Sequence, residues 1–165
     1  MKFAVKSFFF VMCFSSMALY GAASDYEDAA AEGDSKAQYN LGLCYLNGDG
    51  IIQNDKNAFE WFKKAADHGY PHAECMVGLC YAFGKGVNQN DKKALEYFKK
   101  AANKDIAEAY YNLGWFNENG KGGLPADVEE AKKWYQKAAD KEHGLAKEAL
   151  NRLNKPKEQQ NENLY

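Results

Sequence analysis

The chain contains no threonine, and beyond residue 23 its only serines are Ser24 and Ser35. The Ser-x-x-Lys and Lys-Thr-Gly motifs of serine β-lactamases are therefore both missing. One alternative nucleophile remains, because Cys75 and His72 are three residues apart on one helical face. We interpret this pair as neighbours on a ligand-lining or partly buried face, since nothing in the sequence indicates an activated thiol. The sequence predicts no catalytic residue.

The chain also lacks an excess of positive charge. The sequence has 21 Lys and Arg residues and 23 Asp and Glu residues. Without Lys2 and Lys6, 19 basic residues remain and the net charge is about −4. The lysine pairs at 63–64 and 99–100 are balanced by Glu60 and Glu96, each four residues before a lysine on a helix surface. No basic stripe follows from this pattern, so nucleic acid is not expected as a partner.

Only one long hydrophobic run occurs, at the N-terminus. Lys2 and Lys6 precede an apolar stretch over 8–20, and Gly21-Ala22-Ala23 follows it. This layout predicts a signal peptide over 1–23, cleavage after Ala23 and secretion to the periplasm or the cell exterior. The alternative is an uncleaved anchor, the only membrane contact expected, but the run is shorter than the roughly 20 residues of a span. The polar segment 155–165 is predicted to be a disordered tail.

Cysteine and histidine are scarce beyond the signal. The three remaining cysteines are Cys44, Cys75 and Cys80, so at least one cannot be bridged within the chain. Cys44 and Cys80 are expected as small core residues, and a Cys44–Cys75 bridge is the alternative. Zinc bound by His68, His72 and Cys75 is disfavoured because Gly69-Tyr70-Pro71 interrupts the helix. His68 and His143 are interpreted as residues at helix C-termini, and no metal or cofactor is predicted.

A repeat organises the rest of the chain. Gly42, Gly78 and Gly114 recur at intervals of 36 residues, each followed by a Gly-x-Gly turn, except that Gly120-Lys121-Gly122-Gly123 carries one extra residue in the third copy. Ala58 and Ala94 begin a second motif with the same 36-residue interval. A fixed period of this size predicts a solenoid of units, each made of helix A, a turn and helix B.

Small residues mark where the helices meet. Ala37, Leu41 and Tyr45 are spaced to form one face of helix A, and the second unit repeats the spacing. Glycine inside a helix costs about 1 kcal/mol relative to alanine. Gly42 and its equivalents are therefore expected where a neighbouring helix approaches closely.

The combined pattern Ala-x-x-x-Leu-Gly-x-x-Tyr-x-x-Gly-x-Gly and Ala-x-x-Trp/Tyr-Phe/Tyr-x-x-Ala-Ala resembles the Sel-one-like repeat (SLR), a relative of the tetratricopeptide repeat. The resemblance implies an all-α, right-handed solenoid over 24–154. Its parts would be a half helix over 25–32, units over 33–68, 69–104 and 105–141, and a closing helix over 143–153. The third unit departs from the pattern, with Trp115 in place of leucine and Asn117 in place of tyrosine.

The resemblance also implies that the A helices line a concave surface that binds a protein or peptide, which makes the chain a non-catalytic adaptor. One alternative is a β-lactamase or penicillin-binding activity, as in cysteine-rich secreted SLR proteins. The disulfides of those proteins are not expected here, because Ala66 and Glu74 occupy the positions of their paired cysteines. A third interpretation is a self-associating array. The residues expected on the concave surface are Lys36, Tyr39, Asn40, Leu43, Asn47, His72, Cys75, Met76, Leu79, Phe83, Glu108, Tyr111, Asn112, Trp115 and Asn119.

Overall fold

A computed structural model describes residues 23–155, so residues 1–22 of the predicted signal (1–23) and residues 156–165 of the predicted tail (155–165) lie outside the described residues. Within 23–155 the secondary structure is entirely helical, and no helix there is long and apolar enough to cross a membrane. The half helix and the closing helix each differ from their predicted bounds by one residue. The elements are α1 Ser24–Ala31, α2 Ser35–Asn47, α3 Asp55–Asp67, α4 Pro71–Phe83, α5 Asp91–Ala102, α6 Ala107–Glu118, α7 Val128–Asp140 and α8 Gly144–Asn154.

Each helix packs against the next one along the chain, and the most extensive contacts are within the pairs α2/α3, α4/α5 and α6/α7. These pairs are the predicted units, with α2, α4 and α6 as the A helices and α3, α5 and α7 as the B helices. Helix α1 is the half unit and α8 closes the array. The predicted all-α repeat solenoid is confirmed.

The glycines inside the A helices lie against aromatic rings. A Cβ atom added to Gly42, Gly78 or Gly114 would lie 2.6 Å from a ring carbon of Phe62, Phe98 or Tyr135, respectively. Each ring belongs to the B helix of the same unit. The predicted role of these glycines as close-packing positions is confirmed.

Polar caps and left-handed residues separate the helices. Gly48 and Gly84 end α2 and α4 with φ of 83° and 66°. The side chains of Asn54, Asn90 and Asp127 accept hydrogen bonds from backbone N–H groups in the first turns of the B helices. These residues stop one helix and start the next, so they set the length of each turn.

Two or three residues after the end of each B-type helix, one residue is left-handed in all four copies. Gly33 and Gly69 have φ of 100° and 79°, and the equivalent residues Asp105 and Glu142 have φ of 66° and 63°. A side chain in this region carries strain that glycine avoids. The repeat therefore imposes one backbone conformation on residues of very different chemistry.

Neighbouring units meet through the Gly-x-Gly turn. A Cβ atom on Gly86 would lie 2.1 Å from the backbone oxygen of Asp55, at the start of the preceding B helix. Beside it, Nζ of Lys85 is 3.2 Å from a carboxylate oxygen of Asp55, and Lys121 makes the equivalent pair with Asp91 at 3.5 Å. We call these two pairs the turn ladder.

Two interpretations from the sequence do not agree with the structure: the Cys44–Cys75 bridge, and His143 as a residue at a helix C-terminus. Cys44, Cys75 and Cys80 are buried and no disulfide joins them, so the Cys44–Cys75 bridge is not formed. Burial raises the pKa of the Cys80 thiol to about 12. His143 does not end α7. Its Nδ1 accepts a hydrogen bond from the backbone N–H of Ala146 at 3.3 Å, which makes it the N-cap of α8.

Candidate binding surface on the A helices

Many of the predicted contact residues on each A helix follow a spacing of four, three and four residues. In α2 this stripe begins at Lys36 and ends at Asn47, and both are exposed. The same positions recur in α4 and α6. We use the term A-helix surface for the predicted contact residues that are exposed or half-buried, namely Lys36, Tyr39, Asn40, Asn47, His72, Leu79, Phe83, Glu108, Trp115 and Asn119.

An apolar group occupies the part of this surface that belongs to the second and third units. Phe83 is 37% exposed, while Leu79 and Trp115 are half-buried at equivalent positions of α4 and α6. Trp115 packs against the core, with its ring centroid 5.7 Å from that of Phe116. Large rings held in this way lose little conformational freedom when a partner covers them.

Tyr39 connects the first two units. Its ring centroid lies 5.8 Å from that of Phe62 in its own unit, and 5.2 Å and 6.2 Å from those of Tyr70 and His72 in the next. The half-buried ring therefore fixes the position of the exposed His72 relative to α2. Tyr39 is both a packing residue and part of the accessible surface.

Five predicted contact residues are buried instead, among them Cys75 and Met76, which are 4% and 8% exposed. Leu43, Tyr111 and Asn112 are 5%, 6% and 8% exposed. Tyr111 stacks on His143 with ring centroids 4.9 Å apart, and burial raises its pKa to about 12. Nδ2 of Asn112 lies 3.7 Å from Sγ of Cys75. Expecting these five side chains in the groove was wrong, because packing against neighbouring helices buries them.

Asn40 and Asn112 occupy equivalent positions of the first and third units but differ in exposure. Asn40 is half-buried on the A-helix surface, whereas its equivalent Asn112 is turned into the contact between α4 and α6. Only Asn40 is accessible enough to bind a peptide backbone. Exposed amides do occur at the end of the stripe, at Asn47 and Asn119.

The A-helix surface and the residues beneath it include few chemically reactive groups. Burial raises the pKa of the Cys75 thiol strongly, so the thiol is protonated at neutral pH and a poor nucleophile. His72 is exposed and makes ring contacts with Tyr39 and Tyr70. Among residues 23–155 no group of three or more His, Cys, Asp or Glu side chains could hold a metal ion.

Sequence reasoning missed a cavity on the other side of the first unit. It has a volume of about 410 Å³ and lies between α1, α2 and α3. The signal was available in the repeat itself, because His68 occupies the position where the later units have Lys104 and Lys141. The lining residues are Ala30, Ala31, Gly33, Gln38, Trp61, Lys64, Asp67 and His68.

The chain matches the family model described as Sel1 repeat in three consecutive copies, over residues 35–70, 71–106 and 107–143. These segments make up more than half of the chain. Each begins at or next to the first residue of an A helix, two residues after the unit boundary expected from the sequence. A comparison with curated proteins gives no match.

Solved structures are similar as well. A Sel1 repeat protein from Oxalobacter formigenes is 39% identical, with a TM-score of 0.66 over 78% of this chain and 96% of that one. A protective antigen present in uropathogenic Escherichia coli strains, displaying an SLR fold, is 36% identical, with a TM-score of 0.68 over 73% of this chain. The match covers only 26% of the antigen's own length. Helicobacter pylori cysteine rich protein B, at 21% identity, shares the fold, with a TM-score of 0.60 over 78% of this chain and 96% of that one.

Proposed function

Because the chain belongs to the Sel1 repeat family, we propose that it is a non-catalytic adaptor that binds a protein or peptide partner on the A-helix surface. The repeat fold in general mediates protein interactions, and the finer assignment rests on the side chains of this chain. The observation that carries it is the group formed by Leu79, Phe83 and Trp115, which adds apolar area to an accessible surface. Aromatic side chains at such positions dominate interface energies.

The charges on the surface agree with a polar rim around this group. Lys36 is exposed at one end of the array, and Glu108 is half-buried at the other. Asn47 and Asn119 flank Phe83 at the equivalent positions of the neighbouring units. An apolar centre with a polar rim is the usual arrangement of a protein-binding surface.

A β-lactamase activity has less support. The buried Cys75 thiol is held protonated, and the chain has neither serine β-lactamase motif. Nitrocefin turnover by the purified protein that exceeded a heat-inactivated control, and that was lost in Cys75→Ala, would favour the enzyme over the adaptor.

The experiment that tests the proposal is site-specific photo-crosslinking in cells. A photoreactive residue is placed at Phe83 on the A-helix surface, and at Lys99 on the exposed side of a B helix as the matched control. We expect a crosslinked partner from position 83 that is absent from position 99 and is lost when Trp115 is also changed to alanine. Equal crosslinking from both positions would contradict a specific surface.

We also propose that the protein acts outside the cytoplasm, as the N-terminal pattern over 1–23 indicates. The support is the Lys2 and Lys6 flank, the apolar run and the small residues before Ser24. An intact mass of the exported protein that corresponds to a start at Ser24 is expected. A mass that begins inside the apolar run would argue against this cleavage site.

A further inference from the structure

At the position that His68 occupies beside the cavity between α1, α2 and α3, the other two units have lysines that make polar contacts within the chain. In the second unit Nζ of Lys104 donates to the backbone oxygen of Gly69 at 2.9 Å and to Oε1 of Glu74 at 2.8 Å. In the third unit Lys141 forms an ion pair with Asp105. In both units the lysine ammonium group therefore contacts the left-handed residue at the start of the unit, through the carbonyl of Gly69 or the side chain of Asp105.

The first unit has hydrogen-bond acceptors for an ammonium group but no lysine at the equivalent position. Gly33 and Gln38 occupy the positions of Gly69 and Glu74, and His68 occupies that of Lys104. Gln38 is only 3% exposed, and its Nε2 donates to the backbone oxygen of Ala30 at 3.1 Å. Its Oε1 consequently points into the cavity, where Nδ1 of His68 donates to it at 3.2 Å.

The shorter imidazole leaves the space of about 410 Å³ open. Trp61 forms an apolar wall, together with Ala30 and Ala31 at the end of α1. A four-carbon aliphatic stem fits against such a wall while its charged end reaches the acceptors. The carbonyl groups at the C-terminal end of α1 add negative partial charge on the same side.

The local charge favours a cation. The segment 24–34 contains five acidic residues and no basic one. Its field attracts positive ligands toward the adjoining cavity. Lys64 also lines the cavity, with Nζ 3.7 Å from the ring centroid of Trp61. The equivalent lysines, Lys100 and Lys137, lie 4.9 Å and 4.5 Å from the ring centroids of Tyr97 and Trp134. Their units also contain Lys104 and Lys141, so a lysine beside the ring does not exclude a second ammonium group.

We propose that this cavity is a binding site for a primary ammonium group on an aliphatic stem, supplied by a lysine side chain of a partner or by a free alkylamine. The ligand takes the place that Lys104 and Lys141 take in the later units. Gln38 Oε1 and the Gly33 carbonyl accept hydrogen bonds from the ammonium group, and Trp61 packs on the stem. The site is on the B-helix side and is independent of the A-helix surface.

The test is an NMR titration of the ¹⁵N-labelled protein at pH 7 with n-butylammonium chloride. The signals to follow are the side-chain amide of Gln38, the indole N–H of Trp61 and the backbone amide of Gly33. We expect saturable chemical-shift changes with butylammonium. The changes should be at least tenfold weaker with n-butanol, which has the same stem without the positive charge, and with sodium butyrate, a negatively charged compound of similar size. Equal shifts with either control would overturn the proposal.

Two variants change the site in opposite directions. His68→Lys supplies the chain's own ammonium group, so butylammonium should bind at least tenfold more weakly. Gln38→Glu copies Glu74 and should bind it at least fivefold more tightly. The melting temperature verifies folding of each variant. If either folded variant binds like the parent, the assignment of the cavity fails.

Lys104→His is the reciprocal change. It should open an equivalent cavity in the second unit and produce a second set of saturable shifts at Gly69, and the absence of that second set would contradict the proposal.

Nα-acetyl-lysine methylamide distinguishes the two sources of the ligand. Binding comparable to that of butylammonium favours a lysine side chain, binding of butylammonium alone favours a free amine, and binding of neither compound overturns the site.

Discussion

At the scale of single residues, the contacts of the A-helix glycines set how closely the two helices of a unit approach. Gly78→Val should destabilise the protein by about 3 kcal/mol or more, because the new side chain would occupy the space of the Phe98 ring. Urea unfolding followed by circular dichroism measures the change. Gly144→Ala is the control, since no atom lies within 4 Å of its added Cβ. A similar loss in both variants would contradict the packing role.

The left-handed residues provide a second prediction at this scale. Glu142 has φ of 63° at a position that Gly33 and Gly69 occupy in earlier units. Glu142→Gly should raise the free energy of unfolding by about 0.5–1 kcal/mol through relief of backbone strain. The exposed ion pair with Lys147 that it removes contributes little. A lower melting temperature would show that the ion pair outweighs the strain.

Trp115 is the residue on which binding and packing are hardest to separate. Trp115→Ala should weaken partner binding by about 2 kcal/mol or more, with a smaller effect on stability, because the ring is half-buried on the A-helix surface. The competing explanation is that the ring fills space left by Asn117. Melting temperature and affinity measured on the same variant decide the matter. A loss of several kcal/mol in stability would make Trp115 a core residue.

At the scale of helices, a charged contact joins the closing helix α8 to α6. Both carboxylate oxygens of Glu118 take part, because Arg152 donates to one and lies 2.8 Å from the other, and the Tyr135 hydroxyl also donates at 2.8 Å. Burial opposes ionisation of Glu118, but the hydrogen bonds from Arg152 and Tyr135 outweigh it and lower the pKa of Glu118.

A carboxylate with a lowered pKa stabilises the folded state above its unfolded pKa, and this contribution disappears as pH falls through the folded pKa. Glu118→Gln should therefore lower the free energy of unfolding by about 1–2 kcal/mol at pH 7, and the difference from the parent should shrink below about pH 4. Unfolding curves of both proteins between pH 7 and pH 3 test this. A difference that does not change with pH would argue against a charged contact.

The helices themselves could be predicted from the sequence, because the 36-residue period and the glycine positions reflect contacts inside one unit. The exposure of individual A-helix residues could not. Tyr111 and Asn112 satisfy the spacing of a surface stripe, but His143 and Cys75 from neighbouring elements cover them. The cavity beside Gln38 was missed for a similar reason, since it depends on the length of His68 relative to a lysine elsewhere in the repeat.

At the scale of the whole molecule, the three units differ in what they present on the two sides of the array. The A-helix surface is polar in the first unit and apolar around Phe83 and Trp115. On the B-helix side, the first unit has an open cavity beside His68, at the position where the later units have a lysine. Nearly identical backbones therefore present different surfaces, and any recognition by this chain depends on the order of its units.

The turn ladder bears on how such an array can lengthen. The residue equivalent to Lys85 is Asp49 in the first unit, and the residue equivalent to Asp55 is Val128 in the third. A tandem duplication of residues 71–106 would keep a Lys–Asp pair at every junction. A duplicated first unit would set Asp49 against Asp55, and a duplicated third unit would set Lys121 against Val128. Only the middle unit is therefore a self-compatible module, from which longer arrays can grow by gene duplication.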